Sequence, residues 1–136
     1  MEIRRSLLLI ADIGGYTQFI KQPRISLIHA HDVITSLLES IIESARHWLK
    51  LAKLEGDAVF MYAPCPLGQD ACLADAPSQI AAMRRAFLQR QQSICAGTMC
   101  ACDGCKQVSN LTVKFVAHVG DASREFTARL NWRGST

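Results

Sequence analysis

The chain has 136 residues, 49% of them hydrophobic and 20% charged, which is one domain's worth with enough apolar side chains for a single core. Its net charge of +3 comes from scattered basic residues (Arg4-Arg5, Arg84-Arg85, Arg124, Arg129, Arg133), without the basic stripe and interleaved aromatics of a nucleic-acid binder. No stretch reaches the roughly 20 apolar residues of a membrane span. The N-terminal apolar run is short, meets Asp12 and lacks a small-residue cleavage site, so it reads as a buried strand of a cytoplasmic protein, not as a signal peptide.

Ser6 to Ala11 is a continuous apolar run, the pattern of a central strand covered on both faces. Gly14-Gly15 breaks it. From about Ser26 to Trp48, Ile28, Val33, Leu37, Leu38, Ile41, Ile42 and Ala45 recur at spacings of three and four, predicting a long helix with one apolar stripe. Leu49–Leu54 and Ala58–Tyr62 read as two strands joined by a tight turn at Glu55-Gly56-Asp57, where glycine supplies a positive φ. Pro64 and Pro66 end the second of these, and 65–77 reads as a loop. A second helix is predicted over Ser78–Ser93, capped by Ser78, with Ile80, Met83, Ala86, Phe87 and Ile94 inward. Leu111–Val119 alternates and is a strand; His118 lies opposite its apolar face.

The order strand, helix, strand, strand, helix, strand predicts an α+β fold: a ferredoxin-like βαββαβ sandwich, an antiparallel sheet with two helices on one face. Its domain would cover 1–122 with a Cys-rich insertion at 95–105, followed by an irregular tail over 123–136. In this topology the first and third strands lie side by side. Asp12, at the end of strand one, then comes near Asp57, at the start of strand three. Each aspartate alone is an ordinary turn residue. Together they form a seat for magnesium ions and the phosphates those ions carry.

Four of the six cysteines crowd together at Cys95, Cys100, Cys102 and Cys105. Four thiolates on one loop suit tetrahedral Zn2+, although Cys100-x-Cys102 is tighter than the usual half-site; the alternative is a loop of free thiols. Cys65 and Cys72 read as ordinary small residues. His29 and His31, two apart on a helix, point to different faces and do not share a metal.

Leu7-Leu-Leu-Ile-Ala-Asp12-Ile-Gly-Gly-Tyr-Thr17 resembles the first metal motif of class III nucleotide cyclases, the adenylate and guanylate cyclase catalytic domain. Lys53-Leu-Glu-Gly-Asp57-Ala-Val resembles their second metal motif, and Val116-Ala-His-Val-Gly120-Asp-Ala a later strand of the family. The resemblance covers about residues 5 to 122 and is similar to a bacterial branch of cyclase-like domains. It implies that Asp12 and Asp57 bind two ions, Mg2+ or Mn2+, with the Ile13 carbonyl as a further ligand. It implies that backbone N–H groups of Gly14, Gly15 and Tyr16 face the phosphates. Lys53 falls where the family's lysine reads adenine, so ATP is expected over GTP, a lysine being a donor only. Family sites form between two subunits, which implies a homodimer. No nucleic-acid or membrane partner is expected.

Family members continue into a segment carrying an asparagine and an arginine that steady the transition state, and a second base-reading residue. Sixteen residues follow Gly120 here, and no role passes to Arg129 or Asn131. Three expectations therefore stand: an impaired cyclase making cyclic AMP and pyrophosphate, a non-catalytic cyclase-homology binding module, and a zinc- or thiol-controlled interaction domain.

Overall fold

The structure, a computed structural model, describes residues 3–20, 27–45, 49–66, 68–97 and 107–123. In chain order it comprises β1 (Ile3–Gly14), α1 (Tyr16–Ile20), α2 (Leu27–Ser44), β2 (Lys50–Glu55), β3 (Ala58–Pro64), α3 (Gln69–Gly97), a single 3-10 turn (Val108–Asn110) and β4 (Thr112–Ser123). The sheet order is β2-β3-β1-β4, and every pairing is antiparallel. This is the expected ferredoxin-like sandwich, with β1 and β3 neighbours at its centre.

Strand alternation builds the core. Leu7, Leu9, Ala11 and Ile13 of β1 and Val59, Met61 and Ala63 of β3 are buried. All but Leu7 share one cluster with Val33, Leu37 and Ile41 of α2 and Met83 and Phe87 of α3. The other face of β1 corrects an expectation. Leu8 and Ile10 are only half-buried, because both long helices pack on the opposite face. The cover on both faces that the apolar run implied is not met among the described residues.

The helices run antiparallel, since Gln79 meets Ser44 while Arg90 meets Ser36. The Gln79 side-chain amide is 1% exposed and donates to the Ser44 carbonyl at 3.2 Å. Gln91 donates from one nitrogen to the carbonyls of Val108 and Leu111, both at 2.8 Å. It thereby ties the 3-10 turn to α3 and satisfies two acceptors near the buried Val108. Gln91→Leu leaves both carbonyls without that donor and is expected to lower unfolding free energy by about 1–3 kcal/mol. Urea unfolding measures the change.

Element lengths differ from the sequence reading: α2 ends at Ser44, short of the expected Trp48, and α3 runs past Ser93 to Gly97, taking in Cys95, the first residue of the expected insertion. This helix starts at Gln69 and carries Pro77 inside it, so residues 69–77 are helical, not loop. Ser78 is therefore no cap; its hydroxyl donates to the Asp75 carbonyl at 3.1 Å within the helix. Gly68 takes φ +98° at the turn into α3. A disulfide from Cys65 to Cys72 then ties the first turn to the end of β3. This corrects the reading of these two cysteines as ordinary small residues: the helical start brings their Cα atoms to 5.5 Å, within bridging range.

Candidate functional site

Asp12 is the last polar side chain on the open face of β1. Its backbone neighbours in register are Ala58 of β3 and Lys114 of β4. Asp57 sits in the β2–β3 turn beside Gly56, whose φ of +60° is a conformation glycine adopts without a Cβ penalty. The Ile13 N–H donates to the Asp57 carbonyl at 2.9 Å, which pins the turn to the end of β1. The two aspartates thus occupy the ends of adjacent strands, spaced about 4.8 Å apart as backbones. Both are half-buried. Among the described residues no hydrogen bond or ion pair occupies either carboxylate, and no group of three or more His, Cys, Asp or Glu gathers to hold a metal.

Two unengaged carboxylates fit a hard cation. Mg2+ in particular is held by one or two carboxylates and completes its shell with water and substrate phosphates. Ile13 is 2% exposed, with its side chain in the core, so only its backbone can contribute. Gly14 remains part of β1, opposite Thr112; a Cβ there would collide with the Thr112 Oγ1. Gly15 turns the chain at φ +86°, and its carbonyl accepts from the Phe19 N–H. Tyr16 opens α1, a helix of five residues.

Lys53 reaches the same face through a device the sequence did not reveal. A bulge in β2 shifts the register between Leu51 and Lys53, so that Leu51 pairs with Met61 but Lys53 with Phe60. Without the extra residue, Lys53 would pair with Val59 and lie on the opposite face of the sheet, because a one-residue shift inverts every side chain. The Lys53 side chain is 12% exposed and its Nζ lies 2.7 Å from Glu55 Oε2 and 4.8 Å from the Phe60 ring centre. Glu55, Phe60 and Lys114 are site neighbours that the sequence reading passed over. The signal for Glu55 was its two-residue spacing from both Lys53 and Asp57; for Lys114 only the strand register gives it away. His118 is exposed beside Leu8 and folds toward Gly120, where a Cβ would stand 3.0 Å from its Nε2.

Of the four clustered cysteines the described residues include Cys95. Cys95 is free and exposed near the end of α3. Cys100, Cys102 and Cys105 lie outside the described residues, as do Arg129 and Asn131.

A protein of Mycobacterium tuberculosis (strain ATCC 25618 / H37Rv), the uncharacterized protein Rv2561/Rv2562, is 41% identical over 96 residues, which are 71% of this chain and 43% of that protein. This chain thus spans less than half the length of that relative. Among solved structures, the adenylyl cyclase CyaB from P. aeruginosa superposes with a TM-score of 0.65 at 16% identity, covering 97% of this chain and 73% of that one. The guanylyl cyclase Cya2 superposes with a TM-score of 0.66 at 15% identity, covering 98% and 71%. At such identities the likeness is one of fold alone, the fold that these two cyclase structures share with this chain. Among the described residues no helix is long and apolar enough to cross a membrane. A family profile described as "Protein of unknown function (DUF2652)" matches residues 34–131, and with the 41% identical relative it shows that the chain belongs to that family.

Proposed function

We propose that this domain binds a nucleoside triphosphate through divalent metal ions held by Asp12 and Asp57, and that it converts ATP to cyclic AMP and pyrophosphate. The observation that carries the reading is the pinning of Asp57 to the end of β1, which sets two unengaged carboxylates at adjacent strand ends. Mg2+ or Mn2+ bound there supplies Lewis-acid polarisation of the triphosphate.

The chain's own groups do the rest. Asp12 and Asp57 fix the phosphate end, with the Ile13 carbonyl assigned as a further ligand. Lys114, beside Asp12 in register, adds positive charge toward the phosphates, and the N–H groups of Gly15 and Tyr16 turn toward them with Gly14 as the close approach. Lys53, two strands away on the same face, donates to an adenine ring nitrogen. The ribose 3′-oxygen then attacks the α-phosphorus as its proton leaves, and the bond to pyrophosphate breaks. A second copy of the chain covers the open face, where Leu8, Ile10, Phe60 and Tyr62 are half-buried and Val116 is 48% exposed. The reading places the protein in the cytoplasm, among its nucleotides.

One observation favours a non-catalytic binding module instead: the Lys53 ammonium is already held by Glu55. Product analysis separates the two. Purified protein is given ATP or GTP with Mn2+, and product is identified by mass. Cyclic AMP from wild type, absent from Asp12→Ala and Asp57→Ala, supports the enzyme. Nucleotide binding with no cyclic product makes the domain a binding module.

A further inference from the structure

The disulfide lies at the end of the sheet away from Asp12, since Cys65 follows Pro64, which pairs with Ser6. It belongs to a small separate cluster of Leu7, Cys65, Cys72 and Ala76, with Val119 packed against it. Cys65 is anchored to the sheet, its N–H donating to the Arg5 carbonyl at 2.8 Å. Cys72 belongs to residues 69–76, the part of α3 before Pro77. Among the described side chains of that segment Asp70, Ala71, Leu73, Ala74 and Asp75 are exposed, and Cys72 and Ala76 are buried. Pro77 has no N–H to bond back into this segment. Beyond it, Gln79, Met83, Phe87 and Gln91 are buried and hold the rest of α3.

A groove of about 190 Å3 opens beside the bridge, walled by Pro66, Gly68, Ala71 and Asp75 and touching both cysteines. Gly68 and Ala71 are small, so an approaching sulfur meets little bulk. We propose that Cys65–Cys72 is a thiol-exchange site, reduced by a dithiol entering this groove, and that reduction releases residues 69–76 from the sheet. The dithiol's thiolate attacks one bridge sulfur, the S–S bond breaks and the other sulfur leaves as thiolate. The dithiol's second sulfur then displaces the mixed disulfide. Two electrons pass to the bridge, the dithiol closes its own disulfide, and its two protons end on Cys65 and Cys72. The inference stands apart from the nucleotide reading.

Hydrogen exchange with dithiothreitol as the probe tests it. The full chain carries Cys95→Ser, Cys100→Ser, Cys102→Ser and Cys105→Ser, so only this pair reports; wild type with mass-mapped thiol labelling serves if that variant fails to fold. Reduction in native buffer is expected to yield two thiols and to speed amide exchange over 69–76 by roughly tenfold, leaving 79–94 unchanged. Cys72→Ser should exchange fast with or without dithiothreitol. A bridge that resists dithiothreitol until the chain unfolds overturns the proposal. So does a chain that carries both thiols free after air oxidation, or exchange over 69–76 that reduction does not alter.

Discussion

Asp57→Asn is expected to weaken manganese–ATP binding by about 100-fold, and Asp12→Asn by a similar factor. Each change keeps the side-chain shape but removes one of the two negative charges to which the proposed function assigns the metal ions. The fold should survive. Both carboxylates are half-buried and, among the described residues, neither makes a hydrogen bond or ion pair, so unfolding free energy should stay within about 0.5 kcal/mol of wild type. The strand end and turn are held by backbone, through Ile13 N–H to the Asp57 carbonyl, which asparagine leaves in place. Isothermal titration with Mn2+ and ATP, paired with urea unfolding, separates lost binding from lost structure.

Phe87→Ala is expected to cost the most stability, about 3–5 kcal/mol. Phe87 is 0% exposed and lies in the main cluster with Leu9, Val59 and Met61 of the sheet and Leu37 and Ile41 of α2. It therefore lies in the cluster that joins α2 and α3 to the sheet. Removing its ring loses transfer free energy and leaves a cavity that the surrounding strands fill only in part. Against a typical total of about 5–15 kcal/mol, such a loss brings the folded state close to its limit. The urea midpoint should fall sharply with little change in slope. Glu43→Ala, by contrast, removes a surface ion pair with Arg90 at 3.2 Å, a kind of contact that contributes about 0–1 kcal/mol.

The sheet was legible because its signal is local. Alternation in β4 and the Glu55-Gly56-Asp57 turn mark strands and a hairpin without reference to anything distant, and the order of elements then fixes which strands meet. That order alone put Asp12 beside Asp57, and the backbone bond between Ile13 and Asp57 bears it out. What escaped was decided by tertiary context. Pro66, Gly68 and Pro77 all argue for a loop, yet a disulfide and the burial of Ala76 hold residues 69–76 in a helix. The buried amides of Gln79 and Gln91 extend the Met83–Phe87 stripe by four residues each way, but as polar residues they gave no hydrophobic period. The bulge at Ala52 is invisible in sequence, and without it Lys53 would lie on the opposite face of the sheet. Lys114 joined the site only through a cross-strand register.

Electron paramagnetic resonance of Mn2+ with ATP tests the central claim most directly. Adding the wild-type chain should broaden the manganese–ATP signal and immobilise about two ions per chain in the presence of ATP; Asp57→Asn at equal concentration should leave most of the signal free. A manganese–ATP signal that folded wild-type protein does not change would contradict the account and remove Asp12 and Asp57 from any nucleotide site.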